Sequence, residues 1–266
     1  MFHGLSFTRG TCFLCPALCG SVFFLWPAVC LTVSTAVAQE WSQWRGPSRD
    51  GSVTAASTPK AWPSAWQRAW RTRRWRASDV TLTDGSIAKI DAQSGRGLWS
   101  VPFPDEWHEN IMTPVWTGTH LVLSGPRQGT HAYVVARNGE KWDISEAWKN
   151  AELTFYMSTP VLADGPSYGL SSKRKGQIVA LDATTGAVRW STEGRTGNYA
   201  TVLSTPAHVV FLTNDRDLVV IRRSSDSFAE ERRYDVAESE TWAVPVLLSD
   251  GLIVRDATGV MRLVIQ

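Results

Sequence analysis

The sequence predicts an all-β fold, a β-propeller of four-stranded blades of which about five are visible. A strand–turn–strand unit that ends in an aromatic residue recurs along the chain. The copies follow one another at 40 to 50 residues, which is the period of propeller blades. The 14 tryptophans among 266 residues supply large flat side chains that can fill the wedges between twisted sheets.

The clearest copy of the unit covers residues 178–190, with an apolar strand, a Thr-Gly turn and a second strand that ends in Trp190. Gly186 supplies the left-handed backbone of the tight turn, and Ala183 and Gly186 leave room for an indole ring. Similar units occupy residues 87–99, 132–148 and 218–234. Their closing aromatic residues are Trp99, Trp148, Trp190 and Tyr234.

The two ends of the repeat region predict how the propeller closes. Three strands are expected in the last unit, at 244–248, 252–255 and 260–265, and a fourth is missing. The aromatic segment 40–44 could supply it and remove an exposed sheet edge. The segment 64–79 contains a basic aromatic run, 66–76, which is expected to form an amphipathic or irregular surface connector rather than a nucleic-acid or lipid site. The first unit, 80–99, holds only about three strands. Because both ends retain the closing pattern while the middle is abrupt, the sequence favours a ring that has lost interior blades over a smaller complete one.

The N-terminus predicts export. An apolar stretch at 21–33 precedes Ala36-Val37-Ala38, which has the small-x-small pattern of a signal-peptide cleavage site. We therefore divide the chain into a secretory signal peptide (1–38), an N-terminal closing strand with its connector (39–79) and the blades (80–266). An uncleaved anchor is the alternative. With cleavage, the chain would be periplasmic or extracellular, without a stable membrane span, and would contain no cysteine, since all four precede residue 39.

Four stretches carry a family resemblance: Trp41-Ser42-Gln43-Trp44-Arg45-Gly46-Pro47, the repeat that runs from Ala180 to Trp190, and the segments 157–162 and 241–246. They resemble the PQQ-like β-propeller repeat family, in particular its exported bacterial members. The resemblance covers 40–52 and 80–266. It implies seven or eight blades, so interior blades are expected to be missing here. It also implies pyrroloquinoline quinone (PQQ) and calcium as the cofactors of the family's dehydrogenases, whose vicinal cysteine pair the mature chain lacks.

No catalytic, cofactor-binding or metal-binding residue is predicted. Asp105, Glu106 and Glu109 are expected to be solvated loop carboxylates. The basic turn 171–176 could touch an anionic partner, but a solvated hairpin is the simpler interpretation. The four histidines that follow the predicted signal peptide show no metal-ligand spacing; they are His108, His120, His131 and His208.

The sequence therefore favours an exported, non-catalytic scaffold that binds protein partners of the cell envelope through loops at one face of the propeller. Neither nucleic acid nor a cofactor is expected, and the net charge of +2 is too small to indicate either nucleic acid or a membrane surface. The oligomeric state is left open. The alternative is a PQQ-dependent oxidoreductase of alcohols or sugars, and a third hypothesis is a degenerate relative without a stable fold.

Overall fold

The computed structural model describes residues 51, 62, 64–72, 85–90 and 97–265. These residues belong to one unit, 38–266, and form five antiparallel sheets. Strand β1 (Gln67–Thr72) comes first in the chain and pairs in the last sheet. The first sheet contains β2 (Ser86–Ile90) and β3 (Gly97–Pro102).

The other four sheets each have four strands. The second sheet contains β4 (Val115–Trp116), β5 (His120–Gly125), β6 (Gly129–Asn138) and β7 (Lys141–Asn150). The third contains β8 (Val161–Leu162), β9 (Pro166–Ser171), β10 (Gln177–Asp182) and β11 (Val188–Ser191). The fourth contains β12 (Ala200–Ser204), β13 (His208–Thr213), β14 (Asp217–Arg222) and β15 (Glu230–Asp235). The fifth contains β16 (Val246–Leu248), β17 (Gly251–Arg255), β18 (Val260–Val264) and β1.

This architecture confirms the predicted all-β fold of four-stranded blades. Each predicted strand–turn–strand unit is a hairpin of two neighbouring strands; these hairpins are β2–β3, β6–β7, β10–β11 and β14–β15. The only helical element within the described ranges is one 3-10 turn, Lys173–Lys175. No helix among these residues has the length and apolar character that a membrane crossing needs.

The hydrophobic core is divided into separate clusters, each lying between two consecutive sheets. Ile87, Phe103 and Leu123 join the first sheet to the second, and the three later gaps are filled in the same way. In the part of the chain that the structure describes, no cluster joins the fifth sheet to the first. The sheets therefore form a series that does not close into a ring, as the sequence favoured.

Indole rings fill the gaps between sheets. Trp148, from the last strand of the second sheet, packs against the β10–β11 turn of the third, and its Nε1–H donates to the Ala183 carbonyl oxygen at 3.3 Å. A Cβ placed on Gly186 would overlap the Trp148 ring. The small residues of this turn thus leave room for a ring, as the sequence predicted, and the ring belongs to the preceding sheet.

The strand that completes the last sheet is β1, which lies in the segment expected to be an irregular connector. It pairs antiparallel with β18, from Gln67 opposite Val264 to Thr72 opposite Val260. Trp62 is buried in the cluster between the fourth and fifth sheets, and Trp66 packs against the same cluster. These two anchors bring the following residues to the free edge of β18. The predicted closing segment, 40–44, and the signal segment, 1–38, lie outside the described residues.

Candidate functional site

One end of each sheet carries the loops that could form a binding face. Because consecutive strands are antiparallel, the linkers between sheets and the hairpins between the second and third strands of each sheet lie at the same end. We call this end the linker face. Its linkers are 103–114, 151–160, 192–199 and 236–245, and its hairpins centre on Arg127, Arg174, Asp215 and Ala257.

Backbone hydrogen bonds tie neighbouring loops of the linker face together. Ser172 N–H donates to the Thr154 carbonyl at 3.0 Å, and Thr196 N–H donates to the Gly176 carbonyl at 3.0 Å. Asn214 N–H then donates to the Tyr199 carbonyl at 2.9 Å. Two more hydrogen bonds extend this series to the later loops: Thr241 N–H donates to the Asn214 carbonyl, and Ala257 N–H donates to the Glu240 carbonyl. The loops are therefore a connected frame that can hold side chains in fixed positions.

Asp105 organises the first linker. Its Oδ2 accepts the N–H groups of Trp107 (3.2 Å) and Glu109 (3.1 Å) and the Nη2–H of Arg127 (2.7 Å). Burial alone would raise the pKa of the Asp105 carboxyl, but these N–H donors and the guanidinium outweigh it and hold that pKa below its ordinary value. Asp105 is thus a buried structural carboxylate, and the prediction that it is solvated is wrong. Glu106 is exposed, as expected.

The same linker presents an aromatic surface. The Trp107 side chain is 68% exposed, and the Arg127 guanidinium lies over its ring, with Cζ 4.5 Å from the ring centroid. Tyr156, from the next linker, donates its hydroxyl to Glu109 Oε1 at 3.0 Å. Burial and this carboxylate raise the pKa of Tyr156. Glu109 therefore connects two linkers, whereas the sequence suggested only a solvated carboxylate.

A second aromatic pair lies on the later linkers. The rings of Tyr199 and Trp242 stack at 5.3 Å with an interplanar angle of 21°, and Trp242 remains 46% exposed. Beside them is a small recess of about 30 Å³ whose lining is apolar or hydroxylated and contains no charged side chain. Its lining residues include Met157, Thr159, Tyr199 and Val244. Such a lining offers shape and apolar contact but no acid, base or nucleophilic thiol.

Backbone strain is concentrated at the same end. Seven non-glycine residues among those described have a left-handed φ, and six of them lie on the linker face. The six, with φ between 37° and 77°, are His108, Tyr156, Arg174, Lys175, Arg195 and Arg216. Residues in this conformation are uncommon and tend to occur at functional sites.

The remaining histidines have structural partners. His120 and His208 occupy equivalent positions, because each carbonyl accepts a backbone N–H at 2.9 Å from a threonine three residues earlier, Thr117 or Thr205. His208 also accepts the Trp62 indole N–H and faces Glu231 across 3.0 Å. His131 is buried between Glu146 and the Gln128 carbonyl. Within the described ranges, no group of three His, Cys, Asp or Glu side chains could hold a metal ion.

Sequence reasoning missed the aromatic residues of the linker face. Trp107, Tyr156, Tyr199 and Trp242 each precede the first strand of a sheet by ten residues or fewer. That recurrence is a signal in the sequence that identifies them, separate from the aromatic residues that end the strand–turn–strand units.

Residues 83–233 match the family described as outer membrane protein assembly factor BamB. The chain belongs to this family. The match covers more than half of the chain, and it confirms the resemblance to PQQ-like propeller repeats. No curated protein matches the sequence.

Solved structures resemble this BamB-family chain at low identity. A chain of a mitotic checkpoint complex gives a TM-score of 0.51 at 13% identity, covering 68% of this chain and 56% of that one. BamB from Moraxella catarrhalis gives a TM-score of 0.38 at 15% identity, with 68% of this chain and 64% of that chain covered. The Cps50 (Swd1) β-propeller domain of Myceliophteria thermophila gives a TM-score of 0.45 at 10% identity, with 68% of this chain and 66% of that chain covered. The chain thus spans less than two thirds of the length of each of these chains. At such identities the similarity concerns the fold alone.

Proposed function

We propose that the chain is an exported scaffold that binds protein partners of the cell envelope through the linker face. The observation that carries this proposal is the exposure of two indole rings, Trp107 and Trp242, on loops that hydrogen bonds hold in place. Exposed tryptophans, tyrosines and arginines are the side chains that most often dominate the energy of protein interfaces. A fixed frame lowers the entropy lost when they are buried by a partner.

Family membership supports the same function. The family is described as an outer membrane assembly factor, a role that requires contact with other proteins in the envelope. Under this proposal residues 1–38 are a cleaved signal peptide, the mature chain needs no cofactor, and no residue is catalytic. Mass spectrometry of the mature N-terminus, after expression of the full chain in a bacterium, tests the export step.

The docking role can be tested with matched tryptophan variants. Trp107→Ala and Trp242→Ala remove the two indoles of the linker face, whereas Trp116→Ala removes an equally accessible indole (49% exposed) that precedes a hairpin at the opposite end of its sheet. We expect the first two variants, but not the third, to lose partners cross-linked in an envelope extract. If all three variants retain their cross-linked partners equally, the linker face is not the docking site.

The oxidoreductase alternative has a direct assay. PQQ and calcium are added to the purified mature chain, and absorbance and dye reduction with alcohols and sugars are followed. The scaffold proposal expects no new absorbance band and no dye reduction. Stoichiometric quinone binding with turnover would replace it.

A further inference from the structure

Two loops of the linker face form one basic unit, which we call the basic double loop: residues 172–176 and 193–197. Three backbone hydrogen bonds join them. Arg195 N–H donates to the Arg174 carbonyl (3.1 Å), Thr196 N–H to the Gly176 carbonyl (3.0 Å) and Gly197 N–H to the Lys175 carbonyl (3.3 Å). The cationic residues of both loops are therefore held side by side on one surface.

The close approach of these loops depends on glycine. A Cβ on Gly194 would lie 2.7 Å from the Arg174 carbonyl oxygen, and one on Gly176 would overlap the Gly197 carbonyl. Next to them, three long cationic residues adopt a left-handed φ, namely Arg174 (50°), Lys175 (61°) and Arg195 (64°). Left-handed backbone is unfavourable for such residues, so the tertiary structure must impose it on all three.

The charges of the double loop are mostly uncompensated. Seven of the ten arginines whose side chains are described elsewhere have a carboxylate partner; they are Arg127, Arg189, Arg216, Arg222, Arg223, Arg233 and Arg262. The other three, Arg137, Arg232 and Arg255, lie apart from one another in the sequence and on different strands. By contrast, Arg174, Lys175 and Arg195 are all exposed, lie side by side and form no ion pair with any described residue.

The double loop already binds one carboxylate at its edge. Lys173 Nζ lies 3.2 Å from Oε2 of Glu152, a side chain that is 88% exposed. Glu193 is the one acidic residue within the two loops. A freely exposed glutamate can thus reach this surface, and three further cations stand beside it without a counter-charge.

The surroundings favour a protein ligand. The linker that carries Arg195 continues to Tyr199, which stacks on the exposed Trp242. The next two hairpins of the linker face carry fewer unpaired cations: Arg216 lies beside Asp215 but is paired with Asp235, and Arg255, next to the buried Asp256, is the one cation there without an ion pair to a described residue. The unpaired cations of the linker face are therefore densest in the double loop, which adjoins an aromatic surface, as suits a short segment with acidic and apolar side chains.

We infer that the basic double loop binds an acidic, aromatic-containing segment of a partner protein; this inference rests on the proposed docking function of the linker face. A bilayer surface is disfavoured because Lys173 is already paired with Glu152, which leaves three unpaired basic residues, whereas electrostatic lipid binding usually uses clusters of four to eight. Nucleic acid is disfavoured because tracking its backbone needs a longer basic groove.

The test uses the mature chain and a fluorescein-labelled peptide of alternating glutamate and tyrosine. The triple variant Arg174→Gln, Lys175→Gln, Arg195→Gln removes the unpaired charges. The matched control Lys141→Gln, Lys149→Gln, Arg232→Gln removes the same charge from exposed positions on β7 and β15. Binding of the peptide is measured by fluorescence anisotropy at low ionic strength and at about 0.15 M. The first variant should bind the peptide at least about tenfold more weakly than the unsubstituted chain, and the control variant should bind it equally well. The unsubstituted chain should bind the peptide more weakly at the higher ionic strength.

Three results would overturn the inference. They are equal binding of a glutamine–tyrosine peptide, equal weakening by both triple variants, and tighter binding of phosphatidylglycerol vesicles or single-stranded DNA through the same three residues. Circular dichroism melts of both variants check that the fold is kept. If the peptide fails to bind while Trp107→Ala and Trp242→Ala still lose their envelope partners, the inference falls and the docking function stands.

Discussion

Two turns of the molecule, one in the third sheet and one in the fourth, each pack against an indole ring of the preceding sheet, but they do so with different residues. In the third sheet, Asp182 Oδ1 accepts the N–H groups of Thr184 and Thr185, both at 2.9 Å. In the fourth sheet, Ser224 Oγ accepts those of Asp226 (3.2 Å) and Ser227 (3.3 Å). Each turn also presents a carbonyl to the indole N–H of the preceding sheet, Ala183 to Trp148 and Ser224 to Trp190.

The two turns make room for the indole in different ways. At the aspartate turn, Gly186 clears the space that the Trp148 ring occupies. At the serine turn there is no glycine, and Trp190 instead packs between Tyr168 (6.0 Å) and Phe228 (5.7 Å). The repeat therefore conserves the indole and its acceptor, while the means of packing varies from sheet to sheet.

The largest expected effect concerns Trp190. Trp190→Ala should lower the free energy of unfolding by about 3 kcal/mol, because it empties a partly buried site between two aromatic rings. Trp190→Phe should cost about 1 kcal/mol, since a ring remains and mainly the hydrogen bond to Ser224 is lost. Urea denaturation measures both values. Equal losses for Ala and Phe would mean that the hydrogen bond, and not packing, holds this turn.

A smaller effect is expected at the glycine of the other turn. Gly186→Ala combines a left-handed φ of 74° with overlap of the Trp148 ring, and should cost about 2 kcal/mol. Gly139→Ala is the matched control, because Gly139 also has a left-handed φ (65°) but meets nothing within 4 Å; it should cost about 1 kcal/mol.

A double-mutant cycle assigns the difference to the indole. In a Trp148→Ala background, the additional cost of Gly186→Ala should fall to about that of Gly139→Ala, since the overlapping ring is gone. If the cost stays unchanged, then backbone conformation alone, rather than room for the ring, explains the glycine.

The repeat made most of the fold predictable. The units that end at Trp99, Trp148, Trp190 and Tyr234 are hairpins, because strand alternation and turn chemistry are local properties that a sequence records directly. The closing strand was different. Any extended segment can satisfy a free sheet edge, so the pairing of β1 with β18 depends on where Trp62 and Trp66 are buried, and that is a tertiary property.

The linker face was predictable only in outline. Loops at one end of the sheets follow from the topology, but the burial of Asp105 depends on donors from Trp107, Glu109 and the distant Arg127. The basic turn 171–176 was visible in the sequence. Its partner loop was not, because nothing local indicates that Gly194 and Gly197 bring Arg195 beside Arg174.

The smallest expected effect is a difference in the pH dependence of stability between a turn that is capped by an aspartate and a turn that is capped by a serine. Asp256 caps the β17–β18 turn through Thr258 and Gly259; burial alone would raise its pKa, but these donors lower it to about 2. Because this pKa is depressed, its stabilising contribution is complete above about pH 5 and is lost as the pH falls from there toward 2, with about 1 kcal/mol of it lost by about pH 3. Asp256→Asn should flatten that part of the stability–pH curve, whereas Ser224→Ala should lower the whole curve without changing its slope. Urea denaturation between pH 2.5 and 7 measures both, and an unchanged slope in Asp256→Asn would contradict the assignment.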